Sequence, residues 1–248
     1  MLQAALHRKI VVPTLEDTLT SSVVGLMQFL PDDIFWSLLA ESCGVSAHLP
    51  ASIGKIAGVS FWPRFDARNT CNSTYVEPDV WIETDIYDII IEAKRYDGGG
   101  QCLEQWEKEI IALNNERGDD KEIIFISLGG NASLANDSCT VGGKEICIYK
   151  ASWFNLLHAV NNRRKRLPEN GSDSLSRLLG TIADAFFMHG YYDIEWLESL
   201  KAINLPQCRA SLFTDILNFD NHDFFAALYT PAAKFSENSI TIWNGRKD

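Results

Sequence analysis

Apolar positions recur at helical spacing near the start of the chain. Leu15, Leu19, Val23, Leu26 and Leu30 lie three or four residues apart, which predicts an amphipathic helix. Thr14 stands as its N-cap, and Asp17, three residues on, completes a near capping box. Pro31-Asp32-Asp33 closes this helix and opens a second one through Ile34 to Leu39. Residues 43–56 are rich in Gly, Ser, Ala and Pro and read as a loop. The period then shortens. Val59 to Phe65 reads as a strand, with Pro63 marking an edge or a bulge, and Asp66 to Thr74 as a polar connection. Residues 77–94 read as two strands joined by a tight turn near Glu83-Thr84-Asp85. In the second strand Ile89, Ile91 and Ala93 share one face, and Ile90, Glu92 and Lys94 share the other.

Asp97-Gly98-Gly99-Gly100 breaks that strand and leads into a helix over about 100–116. Leu103, Trp106, Ile110 and Leu113 make its apolar side, and Gln101 and Gln105 lie one turn apart on another side. Glu122 to Leu128 is almost wholly apolar and predicts a buried strand. Gly129 to Gly143 reads as a long polar loop, Glu145 to Tyr149 as a strand, and Ser152 to Asn161 as a helix. Arg163 to Asp173 is hydrophilic and reads as a linker or an exposed loop. Helical spacing resumes over 175–187 and stops at His189-Gly190. The remaining tail is aromatic and reads as helical in pieces. The expected organisation is an α/β core over 1–162, a mixed β-sheet flanked by helices. A mainly helical C-terminal extension over 163–248 packs on it.

Composition narrows the classes. With 248 residues and 46% hydrophobic content, the chain can bury one sizeable core. No apolar run approaches the roughly 20 residues of a membrane span. Met1 to Lys9 lacks the long apolar stretch of a signal peptide. Six cysteines show no CxxC spacing, so reduced thiols in a cytoplasmic setting and no structural zinc are expected, with Cys102 and Cys147 acting as small apolar residues. A net charge of −11 argues against a chain that clings to nucleic acid unaided, because phosphate neutralisation dominates that affinity. Arg163-Arg164-Lys165-Arg166 is the strongest basic run; it reads either as a solvated helix end, favoured by the helix dipole, or as a substrate contact. No GxSxG, Walker A or HExxH pattern occurs.

The chemistry gathers at the hairpin. Asp79 on one strand and Glu92 on the next are oxygen donors suited to a hard cation such as Mg²⁺ or Mn²⁺. Lys94 beside them can orient or help deprotonate a water, or stabilise an oxyanion, which is the equipment for metal-assisted phosphodiester hydrolysis. Pro78-Asp79 followed by Glu92-Ala93-Lys94 resembles the PD-(D/E)xK nuclease superfamily, whose restriction-endonuclease-like core has the same order of elements over roughly 14–160. The resemblance implies that Asp79 and Glu92 hold the metal together with the Ala93 carbonyl. It implies that Glu16 on the first helix faces the metal, where the alternative is a glutamate that merely complements the helix dipole. It also implies that Gln105, or else Gln101, lies against the site. A Mg²⁺-dependent deoxyribonuclease is therefore expected, in a bacterial or phage-defence setting, with DNA rather than RNA as substrate. A protein partner or homo-oligomer would deliver it. The contrasting expectations are an inactive binding or assembly module of the same fold, or a member that cleaves RNA.

Overall fold

A computed structural model describes residues 15–44, 48–95, 100–118, 120–167 and 173–193, together with His7. Two helices come first, α1 (Glu16–Met27) and α2 (Asp32–Ser42). Leu15 occupies the N-cap position of α1. Its N–H donates to Thr18 Oγ1 at 2.9 Å, and the Thr18 hydroxyl donates back to the Leu15 carbonyl at 2.8 Å. Thr14, the expected cap, lies outside the described residues. Leu19, Val23 and Met27 are buried as the periodicity requires, whereas the Leu15 side chain, ahead of the first turn, is exposed.

Six strands form one mixed sheet in the order β1-β4-β5-β6-β8-β7. They are β1 (Ile56–Phe61), β4 (Val80–Thr84), β5 (Tyr87–Ala93), β6 (Glu122–Leu128), β7 (Asp137–Val141) and β8 (Lys144–Ala151). β4 is antiparallel to β1 and β5; β5, β6 and β8 run parallel; β7 is antiparallel to β8. Parallel neighbours need a long crossover. α3 (Leu103–Arg117) supplies it between β5 and β6, and the apolar runs of these two strands suit a centre covered on both faces. On one face Ile89, Ile91 and Ala93 join Leu19, Phe35, Trp153 and Phe186. On the other, Ile90 and Phe125 pack with Trp106, Ile110 and Leu113 of α3. The face shared by Ile90 and Glu92 is therefore a second core, which is why Glu92 is buried.

Three strand readings change. β1 ends at Phe61, because Trp62 takes a positive φ of 48° just before Pro63. Phe65–Asp66 (β2) then pairs with Tyr75–Val76 (β3) as a separate ribbon inside what reads as a polar connection. β7 lies inside the expected 129–143 loop. It is an edge strand with only Cys139 fully buried, so it lacks an apolar alternation, and Gly142-Gly143 at φ 59° and 79° make its two-residue turn into β8.

α4 (Trp153–Lys165) runs across the boundary placed at 162/163, and α5 (Asp173–Met188) adds Leu179, Ile182, Ala185 and Phe186 to the core beside α1 and α4. The compact unit accordingly spans Met1–Ile194, and Glu195–Asp248, with most of the aromatic tail, lies outside the described residues. The five described cysteines are all free; Cys102, at the N-cap of α3, is exposed rather than packed. Among the described residues no helix is long and apolar enough to cross a membrane.

Candidate active site at the end of the central strands

The fold brings Asp79, Glu92, Lys94, Glu16 and Gln105 together where β5 ends. Asp79 precedes β4 and is clamped from two sides. Trp62 Nε1 donates to its Oδ1 at 3.1 Å, and the Ala93 N–H donates to its Oδ2 at 2.8 Å. With Asp79 only 7% exposed, burial pushes its carboxyl up to about 7. The neighbouring Glu92 charge adds to that rise, and the Ala93 N–H and Lys94 oppose it. Glu92, 2% exposed on β5, accepts from Gln105 Nε2 at 2.5 Å and from the Lys94 ammonium, both at Oε1. Gln101 does not touch the Glu92 carboxylate. Its amide donates to the Glu92 and Gly129 carbonyls, and its oxygen accepts from the Trp106 indole, so it ties the entry of α3 to the strand ends.

Lys94 follows the last residue of β5, yet its backbone is fixed on both sides. Its N–H donates to the Leu128 carbonyl at 2.8 Å, and its carbonyl accepts from Trp153 Nε1 at 2.9 Å. The ammonium reaches Glu92 Oε1, the Ala93 carbonyl at 3.0 Å and Glu16 Oε1 at 3.3 Å. Glu16, in the first turn of α1, also accepts the Arg95 N–H at 3.2 Å through its other oxygen. It therefore does more than complement the α1 dipole. Burial works to lower the Lys94 pKa, but the Glu92 charge and hydrogen bond, with the charges of Glu16 and Asp79, overcome it and raise it. In this arrangement Lys94 is an ammonium and not a base.

Sequence reasoning missed four residues. Glu109 is 1% exposed on α3, four residues after Gln105, and its Oε2 has no hydrogen-bond partner. Burial first, and then the adjacent Glu92 charge and hydrogen bond, hold its carboxyl well above the usual range. Its signal was present in the chain. Glu109 falls inside the Trp106–Ile110–Leu113 stripe, where a charge is out of place. Gly129 and Gly130, at φ 71° and 68°, wrap Lys94. A Cβ on Gly129 would meet the Lys94 carbonyl oxygen at 2.0 Å, and one on Gly130 would meet Lys94 Cβ at 2.7 Å. Asn131 fastens this turn, donating to the carbonyls of Ser127, Gly129 and Ala151. These are long-range meetings that no local pattern announces.

The donors suit a hard divalent cation. They are carboxylates and a carbonyl, negative charge is in excess, and each carboxylate oxygen keeps accepting capacity. Three of these oxygens, from Glu16, Glu92 and Ala93, already converge on a cation, the Lys94 ammonium. Among the described residues, however, no three His, Cys, Asp or Glu side chains are grouped around one metal-sized point. The site is half-buried, with Glu92 enclosed and the Lys94 and Glu16 side chains partly exposed. Clefts of about 600 Å³ beside Asp32 and Trp36, and beside Tyr87 and Glu122, contain none of its residues. The basic run is elsewhere, in the last turn of α4, where Arg163 donates to Ser37 Oγ at 2.6 Å. In comparisons with known proteins, no family model and no curated protein matches the chain.

Proposed function

We propose that the chain is a nuclease of the restriction-endonuclease-like fold that uses Mg²⁺ or Mn²⁺ to hydrolyse phosphodiester bonds, in DNA in preference to RNA. The observation that supports this reading is the meeting of Asp79, Glu92 and Lys94, joined by Glu16 and Gln105, at one end of the central strands. Asp79, Glu92 and the Ala93 carbonyl would hold the ion, with Glu16 doing so directly or through water. When bound, the ion supplies Lewis-acid polarisation of the phosphate. Lys94 contributes a fixed positive charge against developing phosphate charge and N–H groups that orient a water. Gln105 keeps the Glu92 carboxylate aimed by donating to its Oε1. The rim of the site is partly exposed: the Lys94 and Glu16 side chains are 20% and 34% exposed, against 2% for Glu92. The net charge of −11 favours delivery to nucleic acid by a protein partner or a homo-oligomer. The phage-defence setting rests on family analogy alone.

One observation favours a second reading, a non-catalytic binding or assembly module: the Lys94 ammonium already occupies the meeting point of the Glu16, Glu92 and Ala93 oxygens. Labelled DNA and RNA, incubated side by side with Mg²⁺, Mn²⁺ or EDTA, separate the two. Metal-dependent products that vanish with Glu92→Ala support the nuclease. Intact substrates under every metal condition support the module.

A further inference from the structure

The turn that ends α5 reaches the site from far along the chain. Gly190, at φ 85°, closes the helix with two bonds. The Tyr191 N–H donates to the Phe186 carbonyl and the Gly190 N–H to the Phe187 carbonyl, both at 3.0 Å. This is the Schellman pattern, in which the residue after the glycine packs back on the last turn. Tyr191 does so against the Phe186 ring at 6.0 Å, edge to face, and Phe186 meets Trp153 in the same way at 6.1 Å. The Trp153 indole holds the Lys94 carbonyl, and the Tyr191 hydroxyl donates to the Arg95 carbonyl. Consecutive carbonyls leaving β5 are thus gripped by two aromatic donors stacked through Phe186.

Further ties make the grip specific. The Arg95 guanidinium donates to the His189 carbonyl at 3.4 Å, and His189 Nε2 lies 3.4 Å from Ser22 Oγ on α1, the helix that carries Glu16. Asp193, just beyond, accepts from Asn161 of α4 at 2.8 Å. Residues 189–193 therefore form a strap fixed to α1, α4 and the end of β5. The Arg95 N–H is the group that holds Glu16 Oε2.

We propose that Tyr191 is a positioning residue for the candidate active site: its hydroxyl fixes the Arg95 backbone, and through it the seating of Glu16 against Lys94. Its consequence for cleavage rests on the nuclease reading, but the seating itself does not. Removing the hydroxyl frees the peptide that follows Arg95 while the ring packing stays. The Arg95 N–H sits on the preceding peptide, whose carbonyl Trp153 still holds, so the loosening reaches Glu16 through the Arg95 Cα. The bond lost is one hydrogen bond, so the expected effect is about five- to tenfold.

The test compares wild type, Tyr191→Phe and, as a control, Tyr192→Phe, whose exposed ring packs on Phe187 rather than on Phe186. Amide exchange is followed at Arg95 and at Ile126 in the sheet centre, with single-turnover cleavage and oligonucleotide affinity in EDTA measured alongside. For Tyr191→Phe we expect Arg95 to exchange about five- to tenfold faster, Ile126 to be unchanged, cleavage to slow by a similar factor, and affinity to stay the same. Tyr192→Phe should match wild type throughout. Unchanged Arg95 exchange in Tyr191→Phe would overturn the proposal, as would faster exchange with undiminished cleavage. If wild type cleaves nothing, the nuclease reading falls, and exchange at Arg95 alone still decides whether Tyr191 seats Glu16.

Discussion

Asp79→Asn should stabilise the metal-free protein at alkaline pH and lose that advantage as the solution is acidified. Burial, with the Glu92 charge, raises the Asp79 carboxyl to about 7 from an ordinary 3.8. The folded state therefore binds the proton more tightly than the unfolded state does. Its stabilising effect is complete below the unfolded value and is lost as pH rises from about 4 to about 7. At ~1.4 kcal/mol per tenfold difference in proton affinity, the full loss is about 4 kcal/mol. Asparagine carries no charge and avoids it. It also has a single acceptor oxygen, so either Trp62 Nε1 or the Ala93 N–H loses its partner, which costs about 1–3 kcal/mol. The variant should gain about 1–3 kcal/mol over wild type at pH 8, and that advantage should shrink by about 2–3 kcal/mol by pH 5. Urea unfolding in EDTA at pH 5, 6.5 and 8 measures both curves. Parallel curves, or a wild type that gains on the variant with rising pH, would refute the assignment of a buried, reluctantly ionised Asp79.

Other outcomes follow from the same geometry. Gly129→Ala places a Cβ on the Lys94 carbonyl at a positive φ, so it should cost roughly 3 kcal/mol or more in unfolding experiments. Replacing Asp79 and Glu92 together with Ala should remove any rise in melting temperature caused by Mg²⁺ or Mn²⁺; a double variant that responds like wild type would place the metal elsewhere. Changing Arg163 to Arg166 to Gln should leave oligonucleotide affinity and its salt slope unchanged. Arg163 is committed to Ser37, and the run ends a helix, so a flatter slope would mark it as a substrate contact.

Much of the site could be read from the chain because it depends on short-range alternation. Glu92 and Lys94 meet because a strand repeats every two residues, and Asp79 meets Ala93 because the strand it leads into pairs with the next. The rest depends on packing across distance. Glu109 is recognisable only as a charge misplaced in an apolar stripe. Gly129 and Gly130 are required by the approach of Lys94, about 35 positions earlier, and Tyr191 by a carbonyl nearly 100 positions earlier. β7 escaped because an exposed edge strand needs no apolar face, and the boundary at 162 because a basic helix end resembles a linker. Tertiary contacts, not local preference, decide each of these.

Single-turnover cleavage by Lys94→Ala tests the central claim most directly. Lys94 has no part in holding metal, since a protonated ammonium cannot coordinate. The variant should keep its fold and its metal-induced stabilisation. Its cleavage rate should fall by at least ~10²-fold, the low end of what one positioned electrostatic group supplies. Lys94→Arg should not restore it, because the guanidinium is bulkier and would not fit between Glu92 and the Gly130 turn. A Lys94→Ala protein that cleaves at the wild-type rate would contradict the account.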